Sequence, residues 1–321
     1  MTNERLKLLR EKMRKYRIDM YLVFLSDDHS SEYVGDHFKE TEFLTGFTGS
    51  NATLLITKET AGLWTDGRYF VQAAKEIRGS GFTLFKMGEE DVPGVSDFVK
   101  EHLEKGMRLG YDGRRVTAKE HRQYELYAKK AKASIDINRN LVDAIWKDRP
   151  PLSFAPVWIL DEPYAGVGIE EKLAAVRKKM EEAGAKAHLL TSLCDIAWLL
   201  NLRGNDITHV PVFLSFLYIT EKRVTLYANK DALDKDVKAY LKAHKVAVRA
   251  YDAVYRDMAR VGKVKFLYDP AVTNAALYSC FASKVIRVEQ KNPTEGLKCV
   301  KNETEIANTR QAHILDGLAV T

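Results

Sequence analysis

Apolar and polar residues alternate along the chain in patterns typical of short helices and strands. Near the N-terminus, four apolar residues recur at helical spacing: Leu6, Leu9, Met13 and Tyr16. The run DMYLVF (residues 19–24) follows and predicts a buried strand. Further on, ATLLIT (52–57) and AGLWT (61–65) flank the turn residues KET and predict an antiparallel hairpin. The first part of the chain therefore predicts the order helix, strand, loop, strand, strand.

The same order of elements returns in the second half of the chain, and the sequence itself is repeated. Four blocks match in one order: RLKLLREKM (5–13) with EKLAAVRKKM (171–180), MYLVF (20–24) with AHLLT (187–191), EFLTGFTG (42–49) with AWLLNLRG (197–204), and LLITKETAGLWTD (54–66) with LYITEKRVTLYAN (217–229). Two amphipathic helices often look alike by chance, but four blocks in the same order do not. We therefore predict an α/β fold made of two copies of one domain.

Proline and turn residues mark the limits of these copies. Four of the eight prolines lie within residues 150–163, where they disfavour helix and stiffen an extended connection. A second turn-rich joint spans residues 289–298, and residues 300–321 have the pattern of a helix that continues to the last residue, as expected of a cut chain. We predict one domain over residues 1–155, its repeat over 156–296, and the first helix of a further, missing domain over 297–321.

Composition describes an ordinary globular protein and argues against two classes of partner. The 321 residues carry a formal net charge of +6, but basic and acidic residues are interspersed, which is typical of solvated helix faces rather than of nucleic-acid-binding surfaces. No apolar run approaches the roughly 18 residues of a membrane span, and the N-terminus lacks a secretory apolar core. We therefore predict a cytoplasmic protein that binds neither nucleic acid nor membrane.

Residues that could bind a metal ion are concentrated in one loop. Its carboxylates and imidazoles are Asp27, Asp28, His29, Glu32, Asp36 and His37. Acid-rich loops of this kind usually cap helices and face water, and we favour that interpretation over a metal site. The cysteines, Cys194, Cys280 and Cys299, are too widely spaced for a zinc site or a disulfide framework. They predict reduced thiols in or near the core.

Two further stretches carry candidate chemistry. GFTGSN (46–51) has two glycines before a strand, whereas a phosphate site requires a helix N-terminus, so we favour a tight turn with close backbone packing. NLRGNDITHVPVF contains Arg203, Asp206 and His209, a possible base, acid and orienting group. No nucleophile lies nearby, so a hydrogen-bond network between domains is favoured there. His313, on the terminal helix, is expected at a surface or an interface.

LWTDGRYF (63–70) places an acid, a glycine and a base at one turn. A strand leads into it and a helix follows, so Arg68 is predicted at a strand-to-helix turn, with its guanidinium held at the base and free at the tip. Gly67 is expected to permit the tight geometry. The alternative is a surface ion pair between Asp66 and Arg68, worth only ~0–1 kcal/mol when exposed. Local chemistry alone leaves both interpretations open.

Together these stretches resemble the aminopeptidase P family within the creatinase and prolidase group. The matching segments are SDDHSSEY, FLTGFTGSNA, LWTDGRYFVQAAK, NLVDAIWKDRP, CDIAWLLNLRGNDITHVPVFLS and VKNETEIANTRQAHILDG. They are spread over the whole chain in the order found in three-domain cytosolic Xaa-Pro aminopeptidases. WTDGRYF together with IAWLLNLRG is a specific combination.

The resemblance implies two tandem creatinase-type N-terminal domains, each a mixed sheet flanked by helices, followed by a catalytic pita-bread domain that is absent here. In that domain two aspartates, a histidine and two glutamates would hold two divalent metal ions, usually manganese, which activate water to cut the bond before proline. The full-length protein is then a metalloaminopeptidase that acts on peptides with proline at the second position, commonly as a homodimer. The 321 residues alone are implied to hold no metal or catalytic residue and to be inactive.

The resemblance also assigns Arg68 to substrate binding, with Asp66 and Tyr69 as supports, because a guanidinium can hold a carbonyl or carboxylate by parallel hydrogen bonds. Two alternatives stay open. One is a non-catalytic interaction module of the same fold, as in related histone chaperones, although a retained substrate arginine would have little purpose there. The other is a prolidase or creatinase, most of which have one N-terminal domain instead of two.

Overall fold

The chain folds into two compact units. The computed structural model describes residues 2–281 and 283–321. Unit 1 consists of Met1–Leu152 and Ala271–Ser279, and unit 2 consists of Ser153–Pro270 and Cys280–Thr321. The domain limits predicted at residues 155 and 296 stay a prediction, because a sequence repeat and a compact unit need not share their limits.

Unit 1 contains a six-stranded mixed sheet. Its strands are β1 (Met20–Phe24), β2 (Thr53–Thr57), β3 (Ala61–Thr65), β4 (Thr83–Lys86), β5 (Arg108–Gly110) and β6 (Ser134–Asp136). Its helices are α1 (Thr2–Tyr16), α2 (Glu40–Thr45), α3 (Phe70–Glu76), α4 (Val95–His102) and α5 (Ala118–Ala131). The strand order is β4-β3-β2-β1-β5-β6, antiparallel where β2 meets β1 and β3 and parallel elsewhere. The predicted first helix, first strand and hairpin are confirmed.

Unit 2 repeats this sheet. After residue 153 the strands are β7 (Trp158–Ile159), β8 (Ala187–Leu190), β9 (Leu202–Arg203), β10 (Ser215–Thr220), β11 (Val224–Ala228), β12 (Val246–Arg249), β13 (Lys265–Tyr268) and β14 (Ile286–Glu289). The helices of unit 2 are α6 (Glu162–Ala165), α7 (Ile169–Glu182), α8 (Leu193–Leu200), α9 (Lys235–Ala243), α10 (Ala253–Met258), α12 (Pro293–Cys299) and α13 (Glu303–Val320), whereas α11 (Ala275–Cys280) belongs to unit 1 apart from its last residue. The sheet order β12-β11-β10-β8-β13-β14, with the same strand directions, confirms the predicted α/β duplication.

The repetition extends to individual hydrogen bonds. In unit 1, Nε of Arg10 donates to the carbonyl oxygen of Thr57 at 3.0 Å. In unit 2, Nε of Arg177 donates to the carbonyl oxygen of Thr220 at 3.1 Å. Each bond ties the first long helix of its unit to the end of a hairpin strand. The arginine at this helix position is therefore a packing feature of the domain in both copies.

The apolar core of unit 1 lies on both faces of its sheet. Leu54 and Ile56 of β2 pack in the cluster that contains the buried residues of α1, whereas Leu55 packs in a second cluster with Trp64 and Tyr111. Successive strand residues point to opposite faces, so both faces of β2 are covered. This two-sided burial explains why the strands read as continuous apolar runs in the sequence.

The last helix, α13, is exposed along most of its length. Asn302 and Glu305 cap its first turn reciprocally. Beyond that turn its apolar side chains Ile314, Leu315 and Leu318 are all more than half exposed. Within residues 2–281 and 283–321, no helix is both long and apolar enough to cross a membrane.

His188 lies on β8, in the middle of the unit 2 sheet. The residue is fully buried, and its Nδ1 lies 3.1 Å from the carbonyl oxygen of Leu267. Its Nε2 has no hydrogen-bond partner among the residues that the structure describes. Burial disfavours the charged imidazolium and lowers the pKa of His188 to about 4.

Unit 2 is therefore expected to lose stability as the pH falls below 6.5. The unfolded chain protonates His188 near the ordinary pKa of 6.5, whereas the folded protein resists protonation down to about 4. Since the unfolded state binds more protons in this window, acid favours unfolding, by roughly 2 kcal/mol from this residue between pH 7.5 and pH 5.0. Urea denaturation at both pH values should show a smaller acid loss for His188→Leu than for the wild type.

The control for this measurement is His313→Leu, because His313 is exposed on α13. This variant should lose as much stability in acid as the wild type. An acid loss in His188→Leu equal to that of the wild type would show that His188 does not carry the effect.

Candidate functional site

The stretch LWTDGRYF forms the end of β3, a single 3₁₀ turn and the start of α3. All five residues of β3 are buried, so the turn at 66–69 lies at the carboxyl end of a fixed strand. Oδ1 of Asp66 accepts a hydrogen bond from the backbone N–H of Arg68 at 3.1 Å and so caps the turn. Gly67 does not have a positive φ, and a Cβ there would approach no other group closer than 3.9 Å. The expectation that the turn depends on this glycine is therefore wrong.

The side chain of Arg68 is exposed but held at two points. Its Nε donates to Oδ1 of Asp66 at 3.0 Å, and its Nη2 donates to Oδ2 at 2.9 Å, while 67% of the side chain remains exposed. The prediction of a free tip is therefore only partly right, because Asp66 engages one edge of the guanidinium. Arginine has five N–H donors, and this pair uses one edge of the plane. No described residue accepts a hydrogen bond from Nη1, so the edge formed by Nη1 and Nη2 faces solvent.

The pair is electrostatically reinforced. The hydrogen bonds from Arg68, and next the one from Asn51, hold the pKa of Asp66 well below its usual range. The same carboxylate raises the pKa of Arg68 above its ordinary value. The guanidinium carbon also lies 5.1 Å from the ring centroid of Tyr69. Asp66 and Tyr69 therefore orient Arg68 at ordinary pH without neutralising its outer edge.

The loop GFTGSN supports the same turn. The side-chain amide of Asn51 donates to Oδ2 of Asp66 at 2.7 Å, and the hydroxyls of Ser50 and Tyr69 are 2.7 Å apart. A Cβ on Gly49 would lie 2.2 Å from the Phe47 ring and 2.8 Å from that of Tyr69, so only glycine fits there. The predicted close backbone packing is confirmed. The sequence did not indicate this contact between the loop and Asp66.

The two units share the capped turn but not the arginine. In unit 2, Asn229 stands where unit 1 has Asp66, and its side chain accepts a hydrogen bond from the backbone N–H of Asp231 at 3.1 Å. The capped turn is thus a common feature of both domain copies. Unit 2 has Asp231 at the position of Arg68, so the outward guanidinium occurs only in unit 1.

The candidate metal loop is buried at its start and exposed further along. Asp27, Asp28 and His29 are each no more than 2% exposed, whereas Glu32 and Asp36 are exposed, so the expectation that this loop faces water is wrong only for its first residues. Oδ1 of Asp27 accepts hydrogen bonds from the backbone N–H groups of His29 and Ser31, at 2.9 and 3.0 Å. Asp28 forms an ion pair with Arg115. Across the described part of the chain, no group of three or more histidine, cysteine or acidic side chains could hold a metal ion.

Unit 1 contains a buried charge network that the sequence did not indicate. Oε1 of Glu40 accepts hydrogen bonds from Nη2 of Arg149 at 2.6 Å and from the amide of Asn140 at 2.7 Å. Nε of Arg115 lies 3.9 Å from the same oxygen. Burial raises the pKa of Glu40 to about 7, and the Arg149 guanidinium opposes that rise. The network joins the first turn of α2 to the segment that follows β6.

Unit 2 has a matching acid at the start of α8. Asp195 aligns with Glu40 and is equally buried, at 3% exposure. Its Oδ1 accepts a hydrogen bond from Lys298 at 2.6 Å, and its Oδ2 accepts one from Thr294 at 2.9 Å. Both units therefore use a buried carboxylate to hold the segment that follows their last strand, which is a structural role.

Arg203, Asp206 and His209 do not form a catalytic group. Nη1 of Arg203 donates to the carbonyl oxygens of Ala197 and Leu202, at 2.8 and 2.9 Å. Asp206 accepts three hydrogen bonds, from the Ser153 hydroxyl and the backbone N–H groups of residues 155 and 214. All of these partners lie in unit 2, so the expectation of a network between domains is not supported.

The remaining candidates are surface groups or half-buried. Cys194 and Cys299 are exposed and Cys280 is half-buried, so the expectation of core or near-core thiols is wrong for the first two. His313 is exposed, in agreement with the sequence.

The chain is similar in sequence to known proteins. Two models described as Creatinase/Prolidase N-terminal domain match residues 5–143 and 148–305. Proteins named Probable Xaa-Pro aminopeptidase P from Talaromyces marneffei and Aspergillus flavus are 38% and 36% identical to the whole chain. The chain spans about half the length of these curated relatives, 50% in both cases.

The whole chain is also similar to a solved structure. That structure is the X-prolyl aminopeptidase of Caenorhabditis elegans, described as a cytosolic enzyme with a di-nuclear active site. The TM-score is 0.93 at 29% sequence identity, and the match covers 100% of this chain and 55% of that one. These findings confirm the resemblance seen in the sequence, and the chain belongs to the creatinase/prolidase N-terminal domain family, of which it contains two consecutive members.

Proposed function

We propose that this chain is the non-catalytic N-terminal portion of a metal-dependent Xaa-Pro aminopeptidase. The whole protein would release the N-terminal residue from peptides that have proline at the second position. The observation that carries this proposal is the match of the entire chain to curated relatives that are named Xaa-Pro aminopeptidase P. The matching structure from C. elegans supports the same activity.

Within that enzyme, Arg68 would bind the peptide substrate. Three features support this role: the side chain is largely exposed, it is oriented by Asp66, and its outer edge has free N–H donors. That edge can hold a peptide carbonyl or a terminal carboxylate through two parallel hydrogen bonds. Asp66 and Tyr69 would support the arginine without touching the substrate.

The two divalent metal ions, expected to be manganese, would be held by residues outside this chain. The donor residues described here do not fit such a centre, since no group of three or more of them lies together. The proposed metal pair is therefore supported only by the di-nuclear site of the C. elegans protein. A cytoplasmic location is supported by the cytosolic description of that protein, and homodimer formation is proposed from the family resemblance.

The proposal is tested by assaying the 321-residue chain and the full-length protein with Mn²⁺ on a peptide that has proline at the second position. We expect the full-length protein to release the first residue and the chain alone to release none. A peptide with alanine in place of that proline is the control and should stay intact. Release by the chain alone would contradict its non-catalytic role, and equal cleavage of both peptides would contradict the Xaa-Pro specificity.

A further inference from the structure

A cavity of about 340 Å³ lies in unit 2. Its walls come from α8, the segment 210–212 and the region from α12 into α13. The residues that matter for its chemistry are Cys194, Trp198, Arg203, Lys298, Lys301 and Glu305. The volume suits a small ligand, and the walls combine two aromatic side chains, Trp198 and Tyr164, with several charged groups.

Arg203 has N–H donors in this cavity that bind no described residue. The side chain is half-buried, and its Nη1 is bound to two backbone carbonyl groups. Within residues 2–281 and 283–321, no carboxylate oxygen lies within 4.0 Å of this guanidinium. Its Nε and Nη2 make no hydrogen bond to any described residue. A guanidinium that is withdrawn from water and not paired with an acid attracts an anion.

The other charges around the cavity do not balance Arg203. The lining contains three cations, Arg203, Lys298 and Lys301, and one carboxylate, Glu305. Lys298 is neutralised by the buried Asp195, at 2.6 Å. Nζ of Lys301 donates to the backbone carbonyl of Lys298 and has no acidic partner among the residues that the structure describes.

Glu305, the carboxylate in the cavity wall, already accepts two hydrogen bonds. Oε1 of Glu305 accepts a hydrogen bond from the indole N–H of Trp198 at 3.3 Å, and Oε2 accepts one from the backbone N–H of Asn302 at 3.0 Å. A fourth cation, Lys172, lies behind the wall with its Nζ 4.5 Å from the ring centroid of Trp198. Among the residues that line the cavity, three cations therefore face one carboxylate.

Unit 1 contains the matching cavity, which serves as an internal comparison. Phe43 aligns with Trp198, and Arg5 aligns with Lys172. Arg5 donates to the Phe43 carbonyl and lies 4.1 Å from its ring, as Lys172 donates to the Trp198 carbonyl at 3.0 Å. The shared contacts show that the two cavities are equivalent places in the fold.

The two cavities differ in charge. The one in unit 1, of about 440 Å³, is lined by two cations and two carboxylates: Arg5, Lys39, Asp36 and Glu42. Lys39 and Asp36 form an ion pair at 2.6 Å. In unit 2, the position of Glu42 is occupied by Ala197, which removes an acid from the wall. The unit 2 cavity therefore has no acid at the position where the unit 1 cavity has Glu42.

We infer that the unit 2 cavity binds a small molecule that carries a carboxylate or phosphate group. Arg203 contacts the oxyanion through Nε and Nη2, Lys301 contributes a second cation, and Trp198 packs against the rest of the molecule. This site is separate from the proposed peptidase activity and does not depend on it.

The site can be tested on the 321-residue chain by nuclear magnetic resonance. Inorganic phosphate and malonate are titrated in turn, with sodium chloride at equal ionic strength as the reference, while the indole N–H signal of Trp198 is followed and assigned with Trp198→Phe. We expect saturable shifts with at least one of the two anions, and the anion that binds more tightly identifies the preferred group. Shifts that do not saturate, or that match those in sodium chloride, would overturn the inference.

Three variants locate the binding. Arg203→Gln should weaken it by about 10-fold or more, because charge-assisted hydrogen bonds are lost. Lys301→Gln, on an exposed side chain, should weaken it about 2- to 5-fold and still leave a folded protein if Arg203→Gln does not fold. Lys222→Gln, in a distant exposed turn of the same unit, is the control and should bind like the wild type. Saturable binding that neither Arg203→Gln nor Lys301→Gln weakens would place the anion elsewhere and contradict the assignment.

Discussion

Replacing Arg68 by alanine in the full-length protein is expected to lower kcat/KM for a Xaa-Pro peptide by about 10- to 150-fold. The physical reason is the loss of charge-assisted hydrogen bonds to the peptide, worth ~1.5 to 3 kcal/mol. Steady-state kinetics on the wild type and the variant give the value. A rise in KM alone would mean that Arg68 binds substrate and transition state equally.

Two further variants make this result specific. Arg68→Lys keeps the charge but cannot hold Asp66 and the substrate through a planar edge, so we expect an intermediate loss. Arg78→Ala removes an exposed arginine just beyond α3 and should leave kcat/KM unchanged. Because the Arg68 side chain is 67% exposed, its removal should change stability little. If kcat/KM of Arg68→Ala equals that of the wild type, Arg68 does not belong to the substrate site.

Replacing Glu40 by alanine is expected to reduce the free energy of unfolding by about 1 to 3 kcal/mol, because Arg149 and Asn140 lose a shared buried acceptor, although Arg149 keeps Asp143 and Arg115 keeps Asp28. The side chain of Arg149, 2.6 Å from Glu40, is only 7% exposed, and so is that of Arg115. Urea denaturation at pH 8 measures the effect, since the carboxylate, with its pKa near about 7, is then mostly ionised.

The chain offers both a control and a replicate for this measurement. Glu42→Ala, two residues further along α2, removes an acid without a hydrogen-bonded cation and should change stability by no more than about 0.5 kcal/mol. Asp195→Ala removes the matching acid in unit 2 and should destabilise that unit by a comparable amount to Glu40→Ala, since Lys298 loses its partner. A loss below about 1 kcal/mol for Glu40→Ala would show that the buried arginines find other compensation.

Much of the fold could be predicted from the sequence because its causes are local. Helical spacing in α1 and the turn between β2 and β3 act over a few residues, and the structure shows both elements where they were expected. The duplication could also be predicted, since equivalent contacts such as Arg10 with Thr57 and Arg177 with Thr220 require similar residues at similar positions.

The candidate site was predicted less completely. The sequence indicated Arg68 and Asp66, but it did not show that the carboxylate engages one edge of the guanidinium and leaves the other open. It also placed Asp27, Asp28 and His29 in water, because composition does not reveal that Arg115, 87 residues away from Asp28, lies against that residue. The burial predicted for Cys194 and Cys299 was also wrong, because both side chains are exposed.

The sequence by itself therefore determined the α/β class, the two domain copies and the family, since these depend on periodicity, turn residues and repeated blocks. Only the tertiary structure decided which charges meet. Glu40 and Arg149 are 109 residues apart along the chain. The balance of charges in the cavity around Trp198 likewise depends on residues from separate segments. Electrostatic interactions depend on distance and burial in space, and the order of residues along the chain specifies neither.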